Sequence, residues 1–292
     1  MSRRDACPHR MHGSEGGFTL IEAIIAVTIG TLIVLMASGV FMVQSDFYDF
    51  LVRQSRVQDN ARTVVHFVRE LVPTIPAGGV VVASDDRFVV RRPQSLAVAC
   101  ADAGGNDLHT LMTNGIESID ASKARGVGAY TEGVPPTWDF NNGSVSARIG
   151  DTGIVPATAC AAAGVDTVGY LGDFVELRNV GSLGGASRGV GDVFMVFEEF
   201  EIAIGASTLD PINSALFQGI SSNGQPLVEF VSGLSSTAGF EYRVGTNWSS
   251  SVTGGSRANI NAIRVTADAL ASAGGESSDA SFELQSIIPV GR

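Results

Sequence analysis

The stretch Phe18–Val43, FTLIEAIIAVTIGTLIVLMASGVFMV, decides how the rest of the chain is read. Across its 26 residues it carries one charge, Glu22. As a helix rising ~1.5 Å per residue it reaches roughly 39 Å, enough to cross a hydrocarbon core of about 30 Å with some tilt. Core helices of globular domains are rarely apolar on every side for this long. The stretch is therefore expected to span a membrane.

The residues before it set the polarity. Met1–Gly17, MSRRDACPHRMHGSEGG, are polar throughout. An ordinary secretory signal places basic residues first, then the apolar stretch, then a small-residue cut. Here the small pair Gly16-Gly17 precedes the apolar run, so a cut at that point leaves the apolar segment on the mature chain. Arg3, Arg4 and Arg10 favour a cytoplasmic leader and an outward-facing C-terminal bulk. Glu22 needs a reason to be there. A carboxylate costs about 2.5–3.5 kcal/mol at the bilayer centre and less near the interface. A new α-amino group at Phe18 offers a counter-charge when such helices pack side by side in a low dielectric.

Gly17-Phe18-Thr19-Leu20-Ile21-Glu22, followed by the apolar run, resembles the prepilin signal of type IV pilins and type II secretion pseudopilins. The resemblance implies that an inner-membrane prepilin peptidase cuts between Gly17 and Phe18 and methylates the new N-terminus at Phe18. It also implies that Glu22 pairs with the amino terminus of a neighbouring subunit in a helical filament. Met11 is an alternative start that gives a shorter leader.

Downstream, charges appear but apolar residues recur at Phe47, Phe50, Leu51, Val57, Ala61, Val64, Val65, Val68 and Leu71. Those spacings of three and four make one stripe. Pro73 and Pro76 end the helix. Phe18–Val72 as one helix spans about 80 Å. In the family this second half packs on the globular domain; an exposed coiled-coil seam is the alternative. His66, between Val65 and Phe67, reads as structural rather than as a ligand.

Past Pro76 the texture changes to short β-rich runs separated by Gly, Ser, Asn and Asp. Expected strands are Val80–Ala83, Arg87–Arg91, Leu96–Ala99, Phe174–Leu177, Val193–Ile204, Leu227–Val231, Phe240–Val244, Ile260–Ala267 and Phe282–Ile288. The sequence thus divides into a leader (1–17), an apolar helix (18–43), its amphipathic continuation (44–72) and an antiparallel β-rich domain (73–292). The class is α+β. The layout of Leu227–Val265 and the ending Phe282–Ile288 look like J-type pseudopilins and PilW-type minor pilins, and Gln58–Leu71 is similar to the PilW-type helix. Residues from about 100 to 190 carry no such likeness.

Composition bounds the function. A formal net charge of −11 argues against binding nucleic acid through its phosphates. Cys7 falls in the leader, leaving Cys100 and Cys160 as an even pair on the oxidising side of the membrane. A disulfide between them is expected, with two buried free thiols as the alternative. No P-loop, dinucleotide fingerprint, nucleophile elbow or triad spacing occurs, and Lys123 is the only lysine. Asp85-Asp86 and Glu198-Glu199 read as solvated surface. Asp102, Asn106 and Asp107 are oxygen donors of the kind calcium takes, but in no known spacing. Asn142-Gly143-Ser144 and Asn247-Trp248-Ser249 fit the glycosylation sequon by chance. The expectation is a non-enzymatic minor pilin-like subunit, without metal or cofactor, partnered by prepilin peptidase, other pilin or pseudopilin subunits and the inner membrane. A secretion pseudopilin or a filament-tip adhesin is the alternative.

Overall fold

The computed structural model describes residues 19–113, 119, 123–133, 136–142, 149–167, 173–210, 212–221, 226–271 and 280–290. It is α+β: a long N-terminal helix, α1 (Leu20–Leu71), followed by an antiparallel β domain. Two compact units divide at Val52/Arg53. In the first, the helix surface from Leu20 to Leu51 is exposed and overwhelmingly apolar. In the second, the buried positions of the helix are Val57, Ala61, Val64, Val65, Val68 and Leu71. The i, i+3, i+4 stripe therefore buries only its later members, while Phe47, Phe50 and Leu51 stay exposed. Pro73 sits in a one-turn 3₁₀ helix, Val72–Thr74, where the chain leaves α1.

Fourteen strands are found among the described residues. They are β1 (Val80–Ala83), β2 (Arg87–Gly104), β3 (Asp107–Met112), β4 (Ala124–Thr131), β5 (Thr137–Asn142), β6 (Ile149–Thr152), β7 (Phe174–Leu177), β8 (Val193–Ala206), β9 (Ser214–Ile220), β10 (Val228–Leu234), β11 (Gly239–Val244), β12 (Asn247–Ser249), β13 (Ile260–Ala271) and β14 (Ala280–Pro289). A short helix, α2 (Ile154–Ala162), lies between β6 and β7. The order along the sheet is β12-β11-β13-β10-β9-β8-β2-β3-β7-β6. β1 also pairs with β2, β14 with β13, and β4 with both β5 and β8.

β2 and β8 form the spine, pairing from Arg87↔Ala203 to Val98↔Val193. The sequence separates Arg87–Arg91 from Leu96–Ala99. The chain keeps them in one strand because a bulge between Pro93 and Ser95 absorbs the proline without breaking the ladder.

One side of this spine carries two apolar cores. Phe200 and Ile202 of β8 join the cluster under α1, while Phe194 and Val196 join a second cluster with Val127, Val175, Leu177 and Leu183. Side chains alternate along a strand, so Glu198 projects to this same side, between the two cores. It is buried, and is paired with Arg92 and with the Gln94 amide at 2.9 Å. Arg92 in turn lies over the Phe200 ring, 4.5 Å from its centre. On the opposite side, Glu199 meets Arg125 at 3.4 Å and Arg91 at 4.0 Å, and Glu201 meets Arg87 at 2.6 Å. Burial pulls the Arg91 guanidinium below its ordinary pKa, against the opposing pull of Glu199. Asp85 and Asp86 are exposed, as expected of a solvated pair. Glu198 and Glu199 are not: β2 supplies arginines that take them out of water.

Gly126 and Gly128 in β4 are there for space. A Cβ on Gly126 would stand 2.2 Å from the Asn141 carbonyl oxygen, and one on Gly128 would stand 2.9 Å from the Phe140 ring. The close approach lets the β4–β5 hairpin lay Phe140 edge-on against Phe197, with ring centres 5.2 Å apart.

Candidate functional site

The start of α1 is built by two side chains. A helix begins with backbone N–H groups that lack intrahelical partners. Thr19 stands immediately before the first helical residue, Leu20, and Glu22 three residues after it. The Thr19 N–H donates to Glu22 Oε2 at 3.2 Å, and the Glu22 N–H donates to Thr19 Oγ1 at 3.4 Å. The Thr19 hydroxyl also donates to Glu22 Oε2 at 3.1 Å. This is a reciprocal capping box. The spacing Thr-x-x-Glu was present in the sequence as its signal, yet Glu22 reads there only as a charge in an apolar run. The carboxylate also favours the positive end of the helix dipole.

Beyond Glu22 the helix hides its few polar groups. The Thr28 hydroxyl donates to the Ile24 and Ile25 carbonyls at 3.0 and 2.9 Å, Thr31 to Thr28 at 2.9 Å, and Ser38 to Val34 at 2.8 Å. Each hydroxyl is satisfied within its own helix, which is what lipid requires of it. The helix is long and apolar enough to cross a membrane. Gly30 and Gly39 leave open space where a side chain would stand, so a neighbouring helix can come close to the backbone there.

The other described residues singled out in the sequence are scattered over α1 and the β domain. Gly17 and Phe18, like Cys7 and Met11, lie outside the described residues. Cys100 of β2 and Cys160 of α2 are joined as a disulfide with Cα atoms 5.2 Å apart, packed with Phe174. The bond ties α2 to the sheet. His66 is exposed, on the helix surface and not in its packing face, with Nδ1 3.5 Å from Glu70. His109 is buried on β3 opposite Glu176, and its Nδ1 has no hydrogen-bond partner. Asp102 and Asp107 cap backbone turns: Asp102 accepts the Gly104 N–H and Asp107 the Asn179 N–H, both at 2.8 Å. The Asn106 carbonyl accepts from Val180 and Gly181. Asn247 and Ser249 belong to the β12 strand, and residues 143–144 lie outside the described residues. Among the described residues no three His, Cys, Asp or Glu side chains converge as a metal would need.

Residues 13–38 match the family described as the prokaryotic N-terminal methylation motif. That motif together with a long apolar N-terminal helix fits a prepilin-type pilin or pseudopilin. The motif's family is structural and not catalytic, and it supports membrane anchoring. It implies processing by prepilin peptidase and assembly with other pilins. No curated protein and no solved structure matches the chain.

Proposed function

We propose that the chain is a minor pilin-like subunit that takes part in priming or building a type IV pilus. Prepilin peptidase removes residues 1–17 and methylates Phe18. The apolar helix holds the subunit in the inner membrane with the β domain outward, and later moves from lipid into the helical core of the filament. Glu22 then meets the amino terminus of a neighbouring subunit. The Cys100–Cys160 bond forms once the β domain reaches the oxidising side. The subunit performs no catalysis.

The observation that carries this reading is the start of α1. A capped helix with one carboxylate in its first turn is followed by an unbroken exposed apolar surface, inside the matched methylation motif. A β domain of about 220 residues, bulkier than a repeating subunit usually carries, favours a minor position. The test is deletion of the gene, scoring surface piliation and protein secretion side by side. Lost piliation with intact secretion is expected. Lost secretion with intact piliation would assign the chain to a type II secretion pseudopilus instead.

A further inference from the structure

The turn joining β8 to β9 puts two large apolar side chains into water, and its described residues, 207–210 and 212–213, are tied down by hydrogen bonds. Leu209 and Ile212 are 79% and 77% exposed. Single exposed apolar residues are ordinary; the difference here is in what holds them. The Ser207 N–H donates to the Asn213 carbonyl at 3.0 Å, and the Asn213 N–H to the Asp210 carbonyl at 3.1 Å. The Ser207 hydroxyl accepts the N–H groups of Leu209 and Asp210, at 3.1 and 2.9 Å, and donates to Glu229 Oε1 at 2.5 Å. Thr208 donates to Glu229 Oε2 through its N–H at 2.8 Å and its hydroxyl at 2.5 Å. The Asp210 carboxylate accepts the Ile212 N–H at 3.3 Å and the Asn213 amide at 2.7 Å. Glu229, on β10, thus clamps the turn to the sheet. An apolar group offered from a fixed backbone binds without the ordering cost that a loose loop incurs.

Charge narrows what it fits. Between Arg188 and Arg243 the sequence contains no Lys, Arg or His. The ionisable groups at the turn, Asp210 and Glu229, are both acidic. An anionic lipid surface repels such a rim. An apolar cleft edged by Arg or Lys on a protein complements it. A second copy of this chain does not supply that edge at its sheet spine, because Arg87, Arg91, Arg92 and Arg125 are engaged with Glu201, Glu199 and Glu198.

We propose that this turn is a docking knob, whose Leu209 and Ile212 insert into an apolar, cation-edged cleft on a different protein subunit of the same filament. The filament setting rests on the functional reading above; the chemistry of the knob does not. The test places the photo-crosslinker p-benzoylphenylalanine at Thr208, and as a control at the exposed Thr246, in the full-length chain in its native host. The expected result is an adduct from 208 and none from 246, joined to another filament protein at a cleft lined by apolar side chains and flanked by Lys or Arg. Leu209→Ser with Ile212→Ser should lower that adduct, and the chain recovered in sheared filaments, by about ten-fold or more. Leader removal and thermal unfolding should not change, since both side chains already face water. An adduct to lipid or to a second copy, no adduct, or wild-type recovery of the double variant would overturn the proposal. If wild-type chain keeps its leader, the functional reading has failed and the crosslink alone decides the knob. If wild-type chain is processed and incorporated but indifferent to the double substitution, only the knob has failed.

Discussion

The Glu22 carboxylate accepts the Thr19 N–H at 3.2 Å while the Thr19 hydroxyl accepts the Glu22 N–H at 3.4 Å, so one residue both closes the helix end and supplies the single charge of the apolar run. The two roles separate by substitution. Glu22→Gln keeps a capping partner and removes the charge; Glu22→Ala removes both. Both variants are expected to be processed normally and to enter filaments poorly, read by immunoblot of sheared filaments against membranes. Thr19→Ala should weaken the helix start by about 1 kcal/mol. Wild-type incorporation of Glu22→Gln would show that the cap, and not charge pairing between subunits, is what assembly uses.

A second prediction concerns the polar seam between the two cores. Glu198 is buried beside Arg92 and Gln94. Arg92→Ala strands a carboxylate away from water and also removes the guanidinium that covers Phe200. Because Arg92 is itself half-exposed, the expected loss is about 2–3 kcal/mol, below that of a fully buried pair. Chemical denaturation of the detergent-solubilised chain measures it. A loss under about 0.5 kcal/mol would place the pair with ordinary surface ion pairs.

The Cys100–Cys160 bond closes a loop of 60 residues. Replacing both cysteines by Ser should cost about 4 kcal/mol by the loss of loop constraint. The change should be felt first at α2, whose docking rests on the small cluster around Cys160 and Phe174. Non-reducing peptide mapping of exported chain is expected to recover the linked peptides. Two free thiols would refute the bridge.

Acid should loosen the β8–β9 turn. Desolvation pushes the Glu229 carboxyl up, but the hydrogen bonds from Ser207, Thr208 and Leu209 prevail and hold it below its ordinary 4.5. A carboxyl lowered on folding adds stability that is present above its ordinary value and lost as pH falls through the lowered one. Wild type should therefore melt above Glu229→Gln near neutral pH, with the gap closing as pH falls past the ordinary carboxyl value and through the lowered one. A gap that does not change with pH would mean that the carboxylate's charge plays no part in the clamp.

How much of this could be read from the sequence depends on the range of the interaction. The helix was legible because its apolar surface and closing prolines are local, and most long strands were legible from β-branched and aromatic runs. β3 was not: its core positions include His109 and Thr110, and Thr110 is tolerated because its hydroxyl donates to the Val175 carbonyl at 2.9 Å. β4, ARGVGAYT, is absent from the expected strands because its glycines count against a strand until Phe140 and Asn141 are seen to need the space at Gly128 and Gly126. α2 carries little sequence signal because it is nine residues long, contains Pro156 and has no side-chain cap. Glu198 and Glu199 read as solvated in the sequence because the arginines that pair with them come from strands distant in sequence. At the site, Glu22 stands out by its oddity, while its bonds to Thr19 are encoded in the Thr-x-x-Glu spacing beside it.

On the function proposed above, α1 enters a filament after the chain is cut just before it. The mature N-terminus, determined by mass spectrometry of chain purified from wild-type cells, tests this most directly. A single species beginning at Phe18 and carrying one N-terminal methyl group, with the apolar helix retained, is expected. A chain that still begins at Met1 or Met11, or one cut after the apolar helix, would contradict it.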